Sequence, residues 1–132
     1  MAKEKNDKKK NKQYGLTNWF FPDAELPPPG EGEMKGHESI IVLNPNDKVA
    51  TITLKCYFVY PEKPITFEAT VEAQSVRCLR TNEPEDMGGH NIPLETQYAI
   101  SLHSDQPIVA QYGRLDNRQT NLAFYTTPGY AE

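Results

Sequence analysis

Residues Thr51 to Ala73 read TITLKCYFVYPEKPITFEATVEA, and this stretch decides the fold. In its first half Ile52, Leu54, Cys56, Phe58 and Tyr60 fall on one side, while Thr51, Thr53 and Lys55 fall on the other. The second half is cleaner, because Ile65, Phe67, Ala69, Val71 and Ala73 alternate with Thr66, Glu68, Thr70 and Glu72. Successive side chains of an extended chain point to opposite faces, so a period of two marks a strand with one face buried. Pro61-Glu62-Lys63-Pro64 reads as a turn between the halves, which predicts an antiparallel pair.

Outward from this hairpin, strands are predicted over Glu38 to Leu43, Ser75 to Arg80, Tyr98 to His103, Pro107 to Leu115 and Leu122 to Thr126. Breakers separate them: Asn44-Pro45-Asn46-Asp47, the Asn82 to Asn91 segment with Pro84 and Gly88-Gly89, and Ser104-Asp105-Gln106. Short strands at this spacing specify an all-β protein, an antiparallel β-sandwich of jelly-roll-like kind, and no long helical period competes. Trp19 to Met34, with Pro22, Pro27, Pro28, Pro29, Gly30 and Gly32, is barred from a helix and reads as an N-terminal extended arm. Its Trp19-Phe20-Phe21 knot is expected to pack on the body or on a neighbouring subunit, an aromatic platform for a sugar or base being the sharper alternative.

The chain of 132 residues suits one domain. With 37% hydrophobic and 24% charged residues, 11 prolines and 8 glycines, it permits a core but favours short elements and many turns. No window reaches the roughly 18 to 20 apolar residues of a spanning helix, and the Lys-rich start lacks the apolar stretch of a secretory signal. A soluble, cytoplasmic protein is expected. The net charge of −4 conceals an asymmetry. Lys3, Lys5, Lys8, Lys9, Lys10 and Lys12 outweigh Glu4 and Asp7, giving +4, whereas the other 120 residues hold eight basic and sixteen acidic side chains. Residues 1–14 are accordingly expected to form a disordered Lys-rich tail and residues 15–132 a single β-sandwich domain. The tail offers a contact for DNA, an anionic membrane face or the acidic body, or acts as a plain solubilising extension.

Enzyme chemistry has no foothold in the motifs. Neither the GxSxG turn of a hydrolase nor the GxGxxG and GxxxxGK[ST] phosphate loops occur, so neither acyl transfer nor a nucleotide cofactor is expected. His37, His90 and His103, with Glu38 or Asp86, offer metal ligands in principle, but their spacing matches no ligand motif, and ordinary hydrogen bonds at a strand mouth, an exposed loop and a strand end are the plainer reading. Neither metal nor cofactor is predicted. Cys56 and Cys78 lie outside any CxxC pattern and read as small buried apolar side chains.

Gln111-Tyr112-Gly113-Arg114-Leu115-Asp116-Asn117-Arg118-Gln119 is the richest polar cluster. Strand alternation puts Arg114 on the side of Ile108, Ala110 and Tyr112, where a guanidinium has to be paired or held at an interface. Asp116 is its nearest candidate partner, and Arg77 and Arg80 form a second basic pair. Arg114, Asp116 and Arg118 are expected to hold a turn and a subunit contact, in which case truncating Asp116 costs several kcal/mol. The other reading is that they receive an anionic ligand.

Trp19, Pro27-Pro28, His37-Glu38, Leu43-Asn44, Arg77, Arg80, Ile92-Pro93, Thr96, and above all PIVAQYGRLDNRQ from Pro107 to Gln119, together resemble the sensory rhodopsin transducer family of small bacterial proteins. The last segment is similar to that family's PIVxQxxRLDxRQ pattern in order and spacing. The Lys3 to Lys12 extension departs from the pattern, as does Tyr112, where a smaller or more polar side chain is expected. The resemblance implies an all-β sandwich, a homotetramer, no enzymatic activity and a cytoplasmic role beside a microbial rhodopsin. It also brings proposals of DNA binding and a likeness to carbohydrate-binding domains. The expected binding or interface residues are Trp19, His37, Glu38, Arg77, Arg80, Arg114, Asp116, Arg118 and Gln119. The alternatives to a signalling protein are a small-ligand module for a carbohydrate or other metabolite, which would use His37, Glu38, Arg77, Arg114 and Asp116 as polar contacts, and a DNA-binding regulator.

Overall fold

A computed structural model describes residues 12–132. Most of the Lys-rich tail, residues 1–11, lies outside the described residues, and with it the DNA contact assigned to that tail. In chain order the strands are β1 (Leu16–Glu25), β2 (His37–Asn44), β3 (Ala50–Phe58), β4 (Ile65–Val71), β5 (Ser75–Arg80), β6 (Gln97–Asp116), β7 (Ala123–Thr127) and β8 (Tyr130–Ala131). One turn of 3-10 helix, Pro84–Met87, follows β5. No helix among the described residues is long and apolar enough to cross a membrane.

All strand pairings are antiparallel, and β6 belongs to two layers. Its first half lies between β3 and β1, in the order β4-β3-β6-β1-β8. Its second half lies between β2 and β7, in the order β5-β2-β6-β7. The inner faces of the two layers make one core, in which Phe21, Ile40, Ile52, Leu54, Ile100, Leu102 and Ile108 are essentially inaccessible. The expected β-sandwich is thus formed, and the hairpin read from Thr51 to Ala73 pairs β3 with β4 from Ala50↔Val71 to Cys56↔Ile65.

Three local expectations need correction. Ser104-Asp105-Gln106 does not end a strand, because β6 runs unbroken through it and Tyr98, Ile100, Leu102, Ser104, Ile108, Ala110 and Tyr112 all face inward. Side chains supply the hydrogen bonds that the ladder loses where β6 leaves one layer for the other. Asp105 Oδ1 accepts from Thr51 N–H (2.8 Å), Ser104 Oγ from Gln106 N–H (3.3 Å), and Asn46 Nδ2 donates to the Pro107 carbonyl (2.7 Å). His103 is consequently a mid-strand residue and not a strand end.

The arm is likewise more than an arm. Leu16–Glu25 joins the sheet beside β6, with an irregularity between Phe21 and Ala24 that takes up Pro22 and Asp23. A bulge tolerates a proline that a regular ladder would reject for its missing N–H. Trp19 and Phe21 are buried in the core, and Phe20 packs against Tyr130 with ring centroids 6.1 Å apart. The third correction concerns the cysteines: Cys56 is buried, as expected, but Cys78 is exposed on the outward side of β5.

The corner between β2 and β3 rests on two buried asparagines. Asn44 Nδ2 donates to the carbonyls of Lys48 (2.7 Å), Val71 (3.1 Å) and Glu72 (3.3 Å). Asn46 joins three segments, donating to the Tyr14 and Pro107 carbonyls and accepting from Tyr14 N–H (3.1 Å). Asn46→Ala therefore strips a buried corner of its partners and is expected to cost about 1–3 kcal/mol in urea unfolding; an unchanged midpoint would show that the crossing of β6 does not need it.

Candidate functional site

β2 turns Glu38, Ile40, Val42 and Asn44 inward, all with no accessible surface, so the strand's own period drives an acidic side chain into the core. Four donors meet it there. Tyr98 Oη (2.5 Å) and Thr81 Oγ1 (2.8 Å) donate to Oε1, while Tyr112 Oη and the Glu25 N–H (3.1 Å) donate to Oε2. Four donors and no acceptor match what a carboxylate offers. Burial first, and the nearby Glu38 second, hold the Tyr98 and Tyr112 hydroxyls far above the ordinary tyrosine range, so both stay protonated and donating. The same two causes push the Cys56 thiol up to about 12.

Arg114 lies opposite Glu38 in the β2–β6 register. Its guanidinium sits 4.9 Å from the Tyr125 ring centroid, and Nη1 donates to the Glu25 carbonyl (3.2 Å). The expected Arg114–Asp116 partnership is not the one formed. Asp116 is taken by Arg118, whose Nε reaches both carboxyl oxygens (3.0 and 2.9 Å), whose backbone N–H bonds Oδ1 (2.9 Å) and whose Nη2 pairs with Oδ2. Nη1 of Arg118 also pairs with Glu25 and Glu95, each at 3.1 Å. The turn after β6 allows Arg118 to fold back on Asp116, which straight-strand geometry does not.

Asn117 continues the motif. Its Nδ2 donates to the Pro29 and Met34 carbonyls, both at 2.8 Å, and so fastens the Pro- and Gly-rich segment before β2. Gly30 has φ +73°, and a Cβ there would stand 2.4 Å from Asn117 Oδ1, so only glycine lets this loop close on that side chain.

The remaining sequence-predicted residues are scattered. Trp19 Nε1 donates to the Leu16 carbonyl (3.0 Å), and His37 Nδ1 lies 2.7 Å from the Lys35 carbonyl. Arg77 Nη1 donates to the Thr70 carbonyl (2.8 Å), tying β5 to β4 across the layers, whereas Arg80 gives its backbone N–H to Asp86 Oδ2 (3.0 Å). Arg77 and Arg80 thus face different neighbours and do not act as a pair. Gln119 is exposed. His103 bonds Asn18 (2.7 Å) and His90 packs beside Phe67, and among the described residues no group of three His, Cys, Asp or Glu converges as metal ligands would.

Sequence reasoning missed Tyr98, Thr81, Glu25 and Glu95. Tyr98 had a signal, since it sits on the same side of its strand as Ile100 and Leu102 and a buried tyrosine hydroxyl needs a partner. Glu25 had none, although it is the joint of the site: its N–H meets Glu38, its carbonyl meets Arg114 and its side chain meets Arg118. A cleft of about 480 Å³ lies elsewhere, between the β3–β4 turn and the segment before β6, where Phe58, Ile65 and Pro93 face Glu62, Lys63 and His90. None of the nine sequence-predicted residues lines it.

The two halves of the site should respond differently to truncation. Glu38→Ala leaves three hydroxyls and an N–H without their acceptor in a dry interior, and a loss of at least about 3 kcal/mol is expected in urea unfolding. Asp116→Ala should cost less than about 1 kcal/mol, because Arg118 is 38% exposed and keeps Glu25 and Glu95. That replaces the larger cost expected from the sequence. The Arg118 side chain holds the Asp116 carboxyl below its usual range. A carboxyl depressed on folding adds stability that is complete above its unfolded pKa, about 4, and vanishes as pH falls through the folded one. The wild-type chain should therefore lose slightly more stability than Asp116→Asn on acidification below about pH 4; parallel curves would remove the ion pair from the account.

A family model described as Anabaena sensory rhodopsin transducer matches residues 14–131. No curated protein matches the chain. Among solved structures, the crystal structure of Thermotoga maritima 1070 is similar at TM-score 0.82 and 31% identity, covering 91% of this chain and 97% of that one. The Anabaena sensory rhodopsin transducer is similar at TM-score 0.66 and 31% identity, covering 83% of this chain and 98% of that one.

Proposed function

The chain belongs to the Anabaena sensory rhodopsin transducer family, and we propose that it is a non-enzymatic signalling protein of the cytoplasm, assembled as a homotetramer and docking on the cytoplasmic face of a microbial sensory rhodopsin. The observation that carries this reading is that the polar groups of the site are engaged with one another. Both Glu38 oxygens accept from within the fold, and Asp116 and Arg118 close on each other and on Glu25 and Glu95. Residues so occupied shape and stiffen a surface rather than turn over a substrate. What the protein then offers a partner is broad sheet faces and the loops that the site fastens. In the test, a sensory rhodopsin is held in lipid nanodiscs and titrated with the full chain. Saturable binding to loaded discs and none to empty discs is expected, and equal signals from both would overturn the reading.

The cleft beside Phe58 and His90 favours a second reading, a module for a small neutral metabolite such as a sugar, since it pairs apolar walls with a few polar groups. A sugar that raises the melting temperature in a concentration-dependent way would support it.

A further inference from the structure

The polar groups around Glu38 and Arg118 are bonded to one another, but those around the cleft beside Phe58 are not. Among the described residues the three ion pairs all belong to Arg118, so Glu62 and Lys63, though adjacent in the chain, pair neither with each other nor with another charge there. Their side chains, and those of His90 and Asn91, make no hydrogen bond to a described residue, whereas Thr96 Oγ1, at the same cleft, donates to the Leu94 carbonyl (2.9 Å). The walls that carry these groups are fixed by the fold. Phe58 stacks on Tyr98 with ring centroids 5.8 Å apart, and both Phe58 and Ile65 pack against the core. On the other side, buried Met87 and Ile92 anchor the segment after β5, and Glu95 N–H donates to the Leu26 carbonyl (2.8 Å). The same segment sets His90, whose N–H donates to the Met87 carbonyl (3.0 Å) and whose ring lies beside Phe67, centroids 6.1 Å apart. Gly88 makes that turn possible, with φ +63° and Phe67 Cβ 2.4 Å from where a Cβ of its own would stand. The cleft is thus held open by core packing, and its volume of about 480 Å³ falls within the roughly 300 to 1,000 Å³ of small-molecule sites.

We infer that the cleft takes a zwitterion with an apolar body, an α-amino acid with an aromatic or branched side chain being the type; this rests on the reading of the cleft as a module for a small neutral metabolite and names the class. Charge selects it. A ligand that covers Glu62 and Lys63 takes both out of water, which is costly unless each meets an opposite charge. A sugar returns neither charge, a simple amine answers Glu62 alone, and a simple acid answers Lys63 alone. An amino acid answers both and sums to zero, as the pair at the rim does. Its ammonium donates to the Glu62 carboxylate, and its carboxylate accepts from Lys63. His90 and Asn91 add hydrogen bonds that fix its orientation, and Phe58, Ile65 and Pro93 bury its side chain.

The full chain is titrated by calorimetry with L-phenylalanine, 2-phenylethylamine and 3-phenylpropionate, while the His90 ring signals are followed by NMR to place each probe in the cleft. L-phenylalanine is expected to bind at least about fivefold more tightly than either analogue, since each analogue lacks one of the two charged contacts. Glu62→Gln should weaken L-phenylalanine and the amine at least about fivefold and leave the acid unchanged, whereas Lys63→Met should weaken L-phenylalanine and the acid and spare the amine. Both side chains are exposed, so the fold should stand in either variant, and Glu68→Gln on the outward side of β4 should alter no affinity. Equal weakening of all three probes in either variant, or binding that leaves the His90 signals unmoved, overturns the assignment. Hexoses that shift the His90 signals where L-phenylalanine does not overturn the zwitterion and leave the small-metabolite reading standing. A cleft that takes neither L-phenylalanine nor a hexose overturns both.

Discussion

A single carboxyl group joins most of the structure. Glu38 receives Tyr98 from the half of β6 that lies in one layer and Tyr112 from the half that lies in the other, so the bonds to its two oxygens span the sandwich interior. Thr81, just after β5, and Glu25, the last residue of β1, complete the set. An acid without accessible surface is costly unless its hydrogen bonds are filled, and here filling them requires four separate stretches of chain to arrive together. The fold and the site are therefore one object. The geometry that satisfies Glu38 also places the Glu25 carbonyl for Arg114 and the Glu25 side chain for Arg118.

From Glu25 outward the interactions weaken in a graded way. The inner bonds are dry and leave orphaned groups when broken, whereas the Arg118 cluster is half in solvent and has three carboxylates to choose from. Asn117 then carries the same motif into the loop before β2. Surface contacts are thus anchored on a rigid interior.

Much of this was legible before any coordinates. Alternation located β3 and β4 to within about two residues at their ends, and apolar and β-branched runs between strong breakers located β2, β5 and β7 nearly as well. Pro22 hid β1, since a bulge that accommodates proline has no mark in the sequence. Ser104-Asp105-Gln106 hid the continuity of β6, since polar residues that replace ladder bonds at a crossing are the same residue types that make turns. At the site, Glu38, Arg114, Asp116 and Arg118 were all named from the sequence, but the pairing was misassigned. Arg114 prefers the Tyr125 ring and a backbone carbonyl, and Asp116 belongs to Arg118. Which partner a charge takes depends on how distant segments converge, and Glu25, about ninety positions from the arginines it meets, could be found only in three dimensions.

The lateness of β6 has a consequence for how the protein is made. The strand common to both layers begins at Gln97, so β1 through β5 leave the ribosome before the element on which β1, β2 and β3 pair exists. Until then β1 has no neighbour, the β3–β4 hairpin and the β2–β5 pair have no shared core, and Ile40, Ile52 and Leu54 stay in water. A nascent chain in that state is an open apolar surface with unpaired edges, the kind of species chaperones hold. Arrival of one twenty-residue strand then converts it at once, which makes folding wait on β6 rather than proceed as a gradual accretion of strands.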